Sequence, residues 1–135
     1  MSNIKYISTR GDGNTLLFKD VIFEGLAPDG GLYVPEAWPV LDSELIKSFK
    51  NLSYNEIAFH VIKAFLDDSI SDSVLDDVIA KSYSHFKSKD VTPLVHVQNN
   101  EYILELFHGP TMAFKDVAMQ FIGNIMNYYL SITNE

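Results

Sequence analysis

The 135-residue chain is 47% apolar and 13% aromatic, long enough for one ordinary domain with a real core and too apolar to stay disordered. Ten basic against eighteen acidic side chains leave a formal charge of −8, which argues against nucleic acid or an anionic membrane surface as the main partner. There is no cysteine, hence no disulfide and no thiolate metal site; with no secretory leader and no membrane-length apolar run legible, a cytoplasmic location is expected.

Lys5 to Ser8 reads as a short strand closed by a Gly11-Asp12-Gly13 turn. Thr15 to Leu26 carries apolar residues at Leu17, Val21, Ile22, Phe23 and Leu26, and this rhythm predicts a helix that ends before Pro28. "APDGGLYVP" is a turn feeding a strand over Leu32 to Val34, limited by Pro35 and Pro39. Asp42 or Ser43 opens a short helix with Leu45, Ile46 and Phe49 on one side. Ser53-Tyr54-Asn55-Glu56 is a capping box, and the helix it starts places Ile57, Ala58, Val61, Ile62 and Phe65 on one expected buried stripe. Ser71 to Phe86 reads as helix, with Asp72, Asp76 and Asp77 early and Lys81 late, an order that suits the helix dipole. "VTPLVHV" and "EYILELF" are β-rich runs around Gln98-Asn99-Asn100, a hairpin.

The last element is a helix after Gly109-Pro110, with Thr111 as its expected N-cap. Asp116, Gln120, Asn124, Asn127 and Ser131 form one narrow polar stripe. Lys115 instead lines up with Ala118, Met119, Ile122, Met126 and Tyr129, on an expected apolar face at the positive end of the dipole. Burial and dipole there both disfavour an ammonium and favour a nucleophilic free amine. A lysine whose stem packs while its ammonium reaches water fits the same spacing. His60, His85, His96 and His108 lack metal-ligand spacing, so no metal is expected.

"FHGPTMAFKD", residues 107–116, closely resembles the lysine segment of the threonine synthase family, pyridoxal-phosphate enzymes of the type II (tryptophan synthase β-like) fold. "KYISTRG", "GLAPDGGLYVPEAWP", "VTPLV" and "YILELFHGPT" resemble the same family in the same order, so the likeness runs over essentially the whole chain. The resemblance implies that Lys115 holds pyridoxal 5'-phosphate as a Schiff base. It also makes His108, Gly109 and Thr111 candidate substrate-loop or supporting residues. The implied reaction converts O-phospho-L-homoserine and water to L-threonine and phosphate, in threonine biosynthesis. A threonine-synthase-like phospho-lyase would share the lysine segment, and a non-catalytic binding module would share the fold start.

Family members are several times longer. The parallel strands, the glycine-rich phosphate loop and the group facing the pyridine nitrogen have no counterpart in these residues. Gly11-Asp12-Gly13-Asn14-Thr15-Leu16 lacks a third glycine, and Asp12 would repel a phosphate, so it reads as a plain turn. The chain is therefore read as an amino-terminal fragment of a lyase, inactive alone. The expected fold class is α/β: a helix-rich amino-terminal domain with a small mixed sheet over 1–88, then the opening hairpin and lysine helix of the catalytic domain over 89–135. The 112–130 helix, apolar on most of its circumference, is expected to self-associate.

Overall fold

The structure, a computed structural model, describes residues 4–11 and 13–133. Among them are five α-helices and two small antiparallel sheets. Strand β1 (Tyr6–Ser8) lies between β2 (Thr15–Leu16) and β3 (Tyr33–Pro35), with Tyr6 opposite both Leu16 and Pro35. All pairs are antiparallel, so the sheet is not mixed as expected. Pro35 lacks an N–H to donate, which suits it to the edge strand β3.

Gly11 (φ 79°) and Gly13 (φ 81°) take the left-handed conformation that turns the chain from β1 towards β2; Asp12 lies outside the described residues. The turn sends Thr15 and Leu16 back along β1, so the helix expected from Thr15 starts only at Phe18 (α1, Phe18–Glu24). Backbone pairing with β1 outcompetes the helical rhythm there. A second corner ties β1 to the Pro28-Asp29-Gly30 turn. The Asp29 carboxylate accepts from Gly31 N at 2.8 Å and from Ser8 Oγ at 2.8 and 2.9 Å. The Gly31 bond first and then the Ser8 bond hold the Asp29 carboxyl below the usual range.

Helix α2 (Ser43–Ser48) is capped by Asp42 and runs into a 3₁₀ turn, Phe49–Asn51. Helix α3 (Tyr54–Lys63) starts on the expected capping box: Ser53 N donates to Glu56 Oε2 at 2.7 Å, and Glu56 N to Ser53 Oγ at 3.4 Å. Its apolar stripe is only half-buried: Tyr54, Ile57, Ala58, Val61 and Ile62 line a groove with Tyr83. Tyr6 joins the sheet to the end of this helix by donating to Phe65 O at 2.6 Å.

Helix α4 (Asp72–Tyr83), capped by Ser71, is the centre of the core. Its Leu75, Val78, Ile79 and Tyr83 pack with Phe121, Ile125 and Tyr129 of α5 (Asp116–Thr133). Leu66, Ile70 and Val91 complete this cluster, and Tyr54, Ala58, Phe59 and Ile62 of α3 pack against it. Strands β4 (Leu94–Gln98) and β5 (Glu101–Leu104) form the expected hairpin, turning at Asn99 (φ 46°) and Asn100. Every residue of both strands is exposed. No helix among the described residues is long and apolar enough to cross a membrane.

Candidate active site

The segment from Glu105 to Met119 gathers every residue singled out for chemistry. After β5, Glu105 N still donates to Pro93 O at 3.0 Å, and the chain then leaves the hairpin. Glu105 Oε2 meets His108 Nε2 at 2.7 Å, with both side chains half-buried. The pair orients the imidazole, and His108 O accepts from Lys87 N at 2.9 Å, which fastens the loop to the end of the α4 region.

Beyond His108 the chain makes a series of turns instead of a helix. Met112 N donates to Gly109 O at 3.1 Å and Asp116 N to Ala113 O at 3.0 Å. Thr111, the expected N-cap, does not cap α5, which begins five residues later at Asp116. The reason is a competing acceptor. The buried Asp116 carboxylate takes the Thr111 amide at 2.8 Å and the Thr111 hydroxyl at 2.9 Å, so that hydroxyl donates where a cap would accept. Gly109 packs directly on the same carboxylate: a Cβ there would stand 2.5 Å from Asp116 Oδ2. Only glycine fits that approach.

Lys115 is the last residue before α5, and its carbonyl accepts from Ala118 N (3.1 Å) and Met119 N (2.8 Å), the position of an N-cap. The expected buried face is not found. Lys115, Ala118 and Met119 are exposed and Ile122 and Met126 half-buried; only Tyr129 of that row is buried. The buried stripe is Phe121, Ile125 and Tyr129, because α1 and α4 pack against α5 on that side. The polar stripe, by contrast, turns partly inward. Asp116 is buried, and Gln120 and Asn124 are half-buried against Ser82 of α4.

The structure thus joins Gly109 and Thr111 through Asp116, and His108 to Glu105, while leaving the Lys115 amine open. Among the described residues Lys115 Nζ takes no hydrogen bond or ion pair. That amine is accessible, unpaired and at the positive end of an 18-residue helix. Asp116 is the residue that sequence reasoning placed only on a polar stripe; its position next to Lys115 and at helical spacing from Gln120 was the available signal. The other histidines serve locally. His60 stacks on Phe49, and His96 Nε2 lies 2.9 Å from Asn99 O in the hairpin. Among the described residues no group of three ligating side chains fits a metal.

A family model described as "Threonine synthase N terminus" matches residues 5–83. The threonine synthase of Pseudomonas aeruginosa is 45% identical over 98% of this chain, which spans 28% of that protein. The crystal structure of PLP-bound threonine synthase from Brucella melitensis superposes with a TM-score of 0.94 and 42% identity, over 98% of this chain and 28% of that one. The yeast threonine synthase structure gives 0.90 and 44%, again over 98% of this chain and 27% of its own. The chain therefore spans little more than a quarter of the length of these relatives, and it belongs to the threonine synthase family, whose amino-terminal part it matches.

Proposed function

We propose that this chain supplies the amino-terminal region and the cofactor lysine of a PLP-dependent threonine synthase, a cytoplasmic lyase of amino-acid biosynthesis. The carrying observation is Lys115. It is an open, unpaired amine at the start of α5, in a chain that aligns over 98% of its length with a PLP-bound family structure. In this reading residues 1–88 are the amino-terminal domain and residues 89–135 open the catalytic domain of a type II fold.

Lys115 Nζ would hold pyridoxal 5'-phosphate, which when bound would supply an electron sink for the carbon that loses its proton. The chain's own residues then have distinct tasks. Lys115 would hold the cofactor and, with its amine free, would move protons at Nζ. The Gly109–Thr111 turn, clamped by Asp116, keeps that amine at the helix start. His108, oriented by Glu105, stands on the loop where the substrate approaches. The net reaction takes O-phospho-L-homoserine and water to L-threonine and phosphate. The phosphate cradle and the partner of the pyridine nitrogen belong to other parts of the catalytic domain, so residues 1–135 alone form no threonine.

The test is turnover by the full-length enzyme. Phosphate release and threonine formation from O-phospho-L-homoserine are expected, and Lys115→Ala and Lys115→Arg each abolish them. Arginine stays protonated and is a poor nucleophile, so its charge cannot substitute. Phosphate release without threonine would instead identify a phospho-lyase.

A further inference from the structure

We propose that Asp116 is the positioning residue that presents the Lys115 amine; the inference rests on the reading of Lys115 as the cofactor lysine. A carboxylate that is 3% exposed is costly to bury unless its oxygens are bonded. Here both are used on one residue. Oδ2 accepts from Thr111 N at 2.8 Å and Oδ1 from Thr111 Oγ1 at 2.9 Å, charge-assisted bonds at the favourable end of a helix dipole. A simple cap such as serine would satisfy helix N–H groups but could not grip a residue five positions back with two bonds.

Gly109 closes the arrangement from the other side. A Cβ on it would lie 2.4 Å from the Asp116 Cβ and 2.5 Å from Oδ2. Between Thr111 and Asp116, Met112 holds φ 60°, a conformation non-glycine residues rarely adopt and keep only when their surroundings impose it. The whole 109–115 turn is therefore wound against one carboxylate, and Lys115 is the residue directly before it. Its backbone has little freedom. Its exposed side chain is the part that would reach the cofactor.

Asparagine replaces this aspartate poorly. Its one oxygen can keep the Thr111 amide, but its NH2 must then donate to a rotated Thr111 hydroxyl, and both charge-assisted bonds at the positive end of the helix are lost. Losing a bond to a charged group costs about 1.5–3 kcal/mol, which corresponds to roughly tenfold or more in an equilibrium.

The experiment uses the full-length holoprotein. Pyridoxyl fixed on Lys115 by borohydride is quantified, and amide hydrogen exchange at Thr111 is followed, in Asp116→Asn, Gly109→Ala, Thr111→Val and Thr111→Ser. Asp116→Asn and Gly109→Ala should lower capture at Lys115 by about tenfold and speed exchange at Thr111. Thr111→Val should cause a smaller loss, and Thr111→Ser, which keeps the hydroxyl, should restore capture. Folded Asp116→Asn and Gly109→Ala proteins with full capture and a protected Thr111 amide would overturn the proposal. Should those two fail to fold, unchanged capture in Thr111→Val would overturn it instead. Pyridoxyl on another lysine of the unsubstituted protein would remove the cofactor reading, and this one with it; equal capture across the variants would remove only the positioning role.

Discussion

Ser82 of α4 and Asn124 of α5 meet across the helix interface, with Asn124 Nδ2 donating to Ser82 Oγ at 3.3 Å. Ser82 is 1% exposed, and its hydroxyl proton goes to Val78 O at 2.6 Å, with Gln120 O 3.3 Å away. A small hydroxyl at this point lets the two helices approach while keeping the Asn124 amide bonded. Ser82→Ala should destabilise the protein by about 1 kcal/mol, the usual net loss of one hydrogen bond. Ser82→Leu should cost more, about 1–3 kcal/mol, because the interface has no room for it. Denaturant midpoints of the two variants check the order.

Tyr6 and Tyr129 predict a specific alkaline limit. Burial, aided by the Asp67 carboxylate, pushes the Tyr6 hydroxyl up to about 12. Burial pushes Tyr129 up to about 12 as well, with its Ser69 bond opposing the shift in part. Each is raised above the unfolded value of about 10, so the folded protein holds these protons more tightly. Their contribution is full below about pH 10 and is lost as pH rises towards about 12. Thermal melts across that window should fall, in step with a late rise of tyrosinate absorbance. Full ionisation of all tyrosines near pH 10 with unchanged melting would contradict this.

The capping box at Ser53 and Glu56 was legible because a cap is written in four consecutive residues, and the turn at Asn99-Asn100 likewise. What escaped was decided at a distance. Thr15 and Leu16 follow a helical rhythm, yet they pair with Ile7 and Tyr6 in β1. Thr111 has a cap's chemistry, yet Asp116 claims its hydroxyl. Lys115 shares its row with apolar residues, but which side of α5 is covered depends on where α1 and α4 pack. In the site, the resemblance pointed to Lys115, while its exposure and the bonds from Thr111 to Asp116 required the three-dimensional arrangement.

The outer side of α5 leads to an association prediction. Met119 is 55% exposed, and Ile122 and Met126 are half-buried beside it. Each large apolar side chain removed from water is worth about 1.5–3 kcal/mol. Residues 1–135 on their own should therefore self-associate through this face, and Met119→Glu should weaken that association. Sedimentation of a clean monomer over a wide concentration range, without apolar dye binding, would contradict it.

The most direct measurement is the site of cofactor attachment. Borohydride reduction of the full-length holoprotein, followed by peptide mapping, should find pyridoxyl on Lys115. The Lys115→Ala protein should retain none covalently. Pyridoxyl mapped to Lys81, Lys87 or any residue beyond 135 would contradict the account, as would near-normal turnover in Lys115→Arg.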